Sequence, residues 1–145
     1  MGGSEVYVAA SGVEGGQAFF DNVAEHKIAA VYGFHYGFAD FNGDPAYLQT
    51  SYSVEQPLNP CTSLYYVLDG RVDVAVVPEI YLEMFLQNYA QYQGRFLVGE
   101  TPDQTYEHSF VVSRDHGPAV EELNDIIAKL RDNGDLDRLM EPYLF

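Results

Sequence analysis

The chain has 145 residues, about the size of one ordinary domain and enough to bury a real core. Acidic residues outnumber basic ones 22 to 7, a formal charge of −15, which repels nucleic-acid backbones and anionic membrane surfaces. A cationic partner or ligand, a saline habitat or plain solubility each accounts for that balance. Cys61 is alone, which excludes an intramolecular disulfide and a cysteine metal cluster. Met1-Gly2-Gly3-Ser4 lacks the basic patch and long apolar core of a secretory signal, and no apolar run is long enough to span a bilayer. The chain is expected to stay soluble where it is made, or to be a trimmed piece whose signal lay outside it.

In chain order, residues 5–10 read as a short strand, because Val6, Tyr7 and Val8 favour extension, and glycine-rich 12–16 follows. Residues 27–32 form a second strand, closed by Gly33. Residues 34–45, rich in aromatics, glycine and aspartate, read as loop with at most a short helix. Residues 47–54 are predicted as a third strand of mixed polarity. Asn59 can cap a helix with Pro60 in its first turn, and Leu64, Val67 and Leu68 give it one apolar stripe. Gly70 supplies the left-handed residue that ends it. Residues 72–77 are apolar except for Asp73, which suits a parallel strand covered on both faces. Pro78 removes a backbone donor where that strand must finish, and helical spacing resumes over 79–91. Short strands are predicted at 95–98 and 109–113. Pro118 opens the plainest helix, with Glu121 and Glu122 near its positive end. Val120, Leu123, Ile126, Ile127 and Leu130 make its apolar face. Gly134 ends it, and a last turn carries Leu136, Leu139 and Met140. The pattern predicts an α/β fold, an open, mostly parallel sheet flanked by helices.

In such sheets ligands bind beyond the carboxyl ends of the strands, so the residues after each parallel strand are the first candidates. Gly33, Phe34, His35 and Tyr36 offer backbone amides and aromatic faces to a ligand. Phe34 and Tyr36 equally suit core or hinge packing, and a lone His35 suits simple solvation. Thr62 and Ser63, with Asn59, open a helix and so face an anion, although capping alone explains Asn59. Glu79 and Tyr81 lie just past the central strand, where a glutamate at a helix start is also ordinary. Arg71 beside Asp73 reads as a structural pair. Asp40-Phe41-Asn42-Gly43-Asp44 imitates a calcium loop, but its glycine falls too early and Ser51 stands where a glutamate should close it. His26, His35, His108 and His116 lack zinc-site spacing, and no nucleophile elbow, phosphate loop or dinucleotide fingerprint is present. No catalytic residue, metal or cofactor is expected.

Three stretches carry a resemblance. They are Lys27-Ile28-Ala29-Ala30-Val31-Tyr32-Gly33-Phe34-His35-Tyr36-Gly37, then Leu68-Asp69-Gly70-Arg71-Val72-Asp73-Val74-Ala75-Val76-Val77, and the tail Ile126-Ile127-Ala128-Lys129-Leu130-Arg131-Asp132-Asn133-Gly134. In this order and spacing they resemble the second half of a type 2 periplasmic solute-binding protein of family 3, the kind that serves amino-acid and related ABC importers. The resemblance implies a hinge strand and glycine-rich linker over 1–16, a solute-binding lobe 2 over 17–113, and a C-terminal helical segment over 114–145. It implies a periplasmic receptor for a small polar or amino-acid-like solute, held in an interlobe cleft and delivered to a transporter permease. It also implies that the first segment of lobe 1, with the arginine that grips a ligand carboxylate, is missing here. Where the family often has an aspartate at the end of the central strand, this chain has Pro78 with Glu79 next.

Some relatives of this fold are dehydratases, so a cleft enzyme is the alternative, marked by an acid and a base converging with shifted pKa values. An interaction domain without a small ligand is a third reading. With lobe 1 absent, Val6, Val8, Leu123, Ile127 and Leu130 are expected to present an apolar surface that a homodimer covers.

Overall fold

A computed structural model describes residues 2–141 and divides the chain into two compact units after Glu107. The first unit is built on six strands: β1 (Gly2–Ala10), β2 (Ile28–Ala30), β3 (Val54–Glu55), β4 (Val74–Pro78), β5 (Phe96–Val98) and β6 (Gln104–Glu107). Their order is β3-β2-β4-β1-β5, with β6 also paired to β1. The α/β fold is as expected, and the sheet is mixed. β2 runs parallel to β3 and β4, whereas β1 enters antiparallel to β4, β5 and β6.

Strand alternation sorts the core into two faces. Val6 and Val8 of β1 join Ala75 and Val77 of β4 under α2 (Pro60–Leu68) and α3 (Glu79–Asn88), which contribute Leu64, Val67, Leu82 and Phe85. On the other face Ile28, Ala30, Val74 and Val76 pack with Val23, Tyr36 and the rings of Tyr7 and Phe20. Covered on both sides, residues 74–77 of β4 are fully buried, which explains their unbroken apolar run. Asn59 caps α2 by accepting the Thr62 amide, and Gly70, at φ 65°, follows its end in the left-handed conformation.

The second unit holds α4 (Val120–Asp132) and α5 (Asp135–Met140). Glu121 and Glu122 sit in the first turn of α4 and Lys129 and Arg131 in its last, each sign matched to the helix dipole. None of its described residues is buried. Among the described residues no helix is long and apolar enough to cross a membrane.

Four sequence expectations need correction. Residues 47–54 are mostly helix, not strand: α1 (Pro45–Ser51) is started by Asp44, whose Oδ1 accepts the Ala46 amide at 2.9 Å, with Pro45 in the first turn. The mixed polarity of that stretch is the one-sided burial of a short helix, with Leu48 inside. The last strand is β6, not 109–113, because the outer edge of Gly2 to Glu5 takes residues 104–107 as its partner. Arg71 pairs with Glu55 at 2.7 Å and stacks on the Tyr66 ring at 4.0 Å, while Asp73 accepts the Lys27 amide instead. Lys27 also reaches Glu55 at 3.2 Å, and the hydrogen bonds from Arg71 and Lys27 hold its carboxyl below the usual range.

The fourth correction concerns Val6 and Val8, which lie inside the first unit rather than on an exposed face, because α2 and α3 pack over that face of β1. Val8→Ala is therefore expected to cost about 2 kcal/mol in urea unfolding, as a buried truncation does. A change within roughly 0.5 kcal/mol, the range of a surface site, would return Val8 to an exposed strand.

Candidate functional site

Three parallel strands, β3, β2 and β4, end along one edge of the sheet, and the chain turns out of each one there. After β2, Gly33 takes a φ of 82° and the Phe34 amide returns to the Val31 carbonyl at 3.2 Å. The Tyr32 amide donates to the Pro57 carbonyl at 2.9 Å, tying this loop to the one after β3. Phe34 is 41% exposed and Leu58, just before α2, is 82% exposed. Tyr32, Phe41 and Ile80 are also exposed, so this edge carries apolar surface that no described side chain covers.

The predicted site residues fall into two groups. Gly33, Phe34 and His35 are exposed on one loop, and Glu79 is exposed as the first residue of α3, after β4. The Glu79 carboxylate accepts the Ser4 hydroxyl, which joins the end of β4 to the start of β1. Tyr36, by contrast, is fully buried beneath its own loop. Its hydroxyl accepts the Val31 amide at 2.6 Å, and its ring stacks with Phe34 at 6.5 Å and Phe38 at 5.6 Å. Burial, then the charge of Glu5, pushes that hydroxyl up. Ser63 is fully buried with no partner for its Oγ, and Thr62 commits its hydroxyl to Asn59 at 3.0 Å. Tyr81 is half-buried between α3 and α2, where burial and Cys61 push its hydroxyl up. Tyr36, Ser63 and Tyr81 thus support the edge from below, while Phe34, His35 and Glu79 face outward.

Four residues that shape the edge were not singled out in the sequence: Glu5, Tyr7, Asp103 and Gln104. The Asp103 carboxylate accepts the Gly37 amide at 2.7 Å, the Phe38 amide at 2.8 Å and the Tyr7 hydroxyl at 2.5 Å. The Gln104 side-chain amide donates to the His35 carbonyl at 2.8 Å. Glu5 is 5% exposed, its Oε2 has no partner, and burial followed by the charge of Asp103 pushes its carboxyl up to about 7. The signal for Glu5 was its place, a carboxylate at alternate spacing from Tyr7 in an otherwise apolar strand. Asp103 stands immediately before β6, a strand the sequence pattern placed too late.

A further loop, 36–44, carries two consecutive non-glycine residues in the left-handed region, Asp40 at φ 52° and Phe41 at φ 59°. A bulky residue there costs about 1 kcal/mol or more, and the bond from the Phe41 amide to the Tyr36 carbonyl at 2.9 Å helps hold it. The Phe41 ring is consequently presented outward, beside His35 at 6.1 Å.

No family model matches the chain, and no curated protein matches it in sequence. Solved structures do match in fold. The GluR0 ligand-binding core from Nostoc punctiforme, in complex with L-glutamate, aligns over 99% of this chain and 61% of its own, at TM-score 0.70 and 13% identity. A binding component of an ABC transporter from Wolinella succinogenes, complexed with lysine, aligns over 98% of this chain and 59% of its own, at TM-score 0.69 and 14% identity. An ancestral arginine-binding protein bound to arginine aligns over 100% of this chain and 62% of its own, at TM-score 0.67 and 14% identity. The chain therefore spans about 60% of the length of these structures. At such identities the likeness is one of architecture: the chain has the fold of a type 2 periplasmic binding protein lobe.

Proposed function

We propose that this chain is the solute-contacting part of a receptor for a small amine-bearing, amino-acid-like solute, serving an ABC-type importer or a related sensor. One observation carries the reading. Among the described residues of the first unit, the edge where β3, β2 and β4 end presents aromatic rings and carboxylates without a lysine or arginine. The three basic residues of the first unit, Lys27, Arg71 and Arg95, stand just before β2, β4 and β5, at the opposite edge. An ammonium or guanidinium group meets Glu79 and the faces of Phe34 and Phe41 there, a pairing of charge and ring quadrupole. The solute's own carboxylate faces the start of α2, where backbone amides and the helix dipole favour an anion. The bound amino acids of the similar structures agree with this class of ligand.

The cleft-enzyme alternative asks for an acid and a base converging on one point, and the nearest arrangement to that is buried Glu5 beside the Asp103 carboxylate. Glu5, however, lies beneath the loop, out of reach of a solute on the edge, and Asp103 already accepts three hydrogen bonds. Both act on the loop, and binding is the better account. The same reading puts the protein in the periplasm with a permease as its transport partner. It also has a second copy cover α4, whose Val120 and Ile126 are exposed and whose Leu123, Ile127 and Leu130 are only half-buried.

Isothermal titration with L-lysine, L-arginine, L-glutamine and L-glutamate tests the ligand class. A basic or neutral amino acid is expected to bind, and Glu79→Gln and Phe34→Ala are each expected to weaken it about tenfold. Binding of none of the four, or binding that Glu79→Gln and Phe34→Ala leave unchanged, would overturn the assignment. Native mass spectrometry of the whole chain is expected to show a dimer, and a strict monomer at high concentration would remove the second copy from the account.

A further inference from the structure

We propose that Asp103 is the positioning residue of the solute loop, and that buried Glu5 beside it makes the loop's hold, and with it solute binding, depend on pH. Only the solute-binding step rests on the function proposed above. Between β5 and β6 the chain leaves the sheet and returns, with the Gly99 amide bonded to the Tyr7 carbonyl at 2.9 Å and the Asp103 amide to the Glu5 carbonyl at 2.8 Å. That return delivers the Asp103 carboxylate to the exit of the loop. Oδ2 accepts the Gly37 amide, and Oδ1 accepts both the Phe38 amide and the Tyr7 hydroxyl. One carboxylate thus ties the loop after β2 to the central strand. The approach is close: a Cβ on Gly37 would lie 2.2 Å from the Asp103 carbonyl oxygen. Gln104, the next residue, holds the His35 carbonyl. Asp103 thus fixes the loop's exit at Gly37 and Phe38, Gln104 fixes the backbone at His35, and the exposed ring of Phe34 stacks on Tyr36 between the loop's start and that exit.

Glu5 adds proton dependence. The titratable groups around it are Tyr7 on the same strand, Tyr36 in the loop, Asp103 before β6 and Tyr106 within β6, and none of these is cationic. From β4 its cross-strand partner is Pro78, and from β6 it is Gln104, both uncharged. The Glu5 carboxyl is raised from 4.5 to about 7 by burial and then by Asp103. Below 4.5 both folded and unfolded chains carry it protonated. From there to about 7 only the unfolded chain ionises it, so folding stability falls as pH rises. Above about 7 the folded chain ionises it too, placing a second negative charge against Asp103 and loosening the loop it holds.

Amide hydrogen exchange on the full chain, read by NMR without solute from about pH 5 to about pH 9, tests both parts. Asp103→Asn and Gly37→Ala break the clamp from its two sides. Each is expected to cut protection of the Gly37 and Phe38 amides about tenfold or more while Val76 in β4 keeps its own. In the wild type, protection of the same loop amides is expected to fall as pH passes about 7, and in Glu5→Gln it is expected to stay level. Unchanged loop protection in Asp103→Asn, or the same pH trend in Glu5→Gln, would overturn the proposal. A parallel titration with L-lysine separates the two readings. Its complete failure in the wild type counts against the solute, while the exchange data still decide the role of Asp103.

Discussion

A strand bonded along both edges must satisfy its amides and carbonyls on both sides at once, and in this chain that strand is β1. Residues 5–9 pair with β4 on one side, while residues 8–10 and 2–5 pair with β5 and β6 on the other. The two outer strands lie end to end along β1, so the chain between them must leave the sheet and come back. The register of β1 therefore decides where Asp103 emerges, and Asp103 decides where the loop after β2 is held. A one-residue slip would also exchange the faces of Val6 and Val8 with those of Glu5 and Tyr7, putting carboxylate and phenol under α2 and α3.

The parallel half of the sheet does different work. Residues 74–77 of β4 have no exposed side, so only chain leaving its end can reach solvent. This gathers the starts of α2 and α3 and the loop after β2 at one edge, although they are far apart in sequence. Burial and presentation then divide within a few residues. Tyr36 turns inward and braces the loop, Phe34 stacks on it and remains exposed, and the left-handed pair Asp40 and Phe41 sets out a second ring. Backbone strain opposes folding and exposed rings contribute no burial energy to it, and here the two coincide on the edge where the candidate site lies.

The sequence made plain what depends on short-range chemistry. The Asn59-Pro60 start of α2, the Gly70 stop, the apolar run of β4 and the amphipathic α4 each carry their signal within a dozen residues, and each appears where expected. Where Asp44 and Pro45 start a helix, the local signal is present, but the mixed polarity of residues 47–54 reads as a strand. What could not be read locally was pairing. Whether Val6 and Val8 face water or core depends on β4, some seventy residues away, and the partner of Arg71 proved to be Glu55 rather than its neighbour Asp73. The candidate site divides the same way. The loop after β2 and Glu79 follow from the rule that ligands sit beyond strand ends. The inward turns of Tyr36 and Ser63, and the part played by Glu5 and Asp103, exist only once the sheet has formed.

Charge ties these levels together. With few cations available, the first unit uses two of its three, Lys27 and Arg71, on the single carboxylate of Glu55. Both stand just before strands whose far ends form the candidate site, so the neutralised edge and the uncompensated edge are opposite by construction of the sheet. A net negative field is generic and favours any cation at long range, with salt screening it beyond about 10 Å. At the edge itself the Glu79 carboxylate accepts the Ser4 hydroxyl and has no lysine or arginine hydrogen-bonded to it among the described residues. Behind it, burial and then Asp103 push the Glu5 carboxyl up to about 7, so below that pH a proton keeps one further negative charge out of the loop's foundation. The same scarcity of cations that leaves this edge uncompensated also leaves buried Glu5 without a cationic partner among the described residues, so only a proton neutralises it beside Asp103.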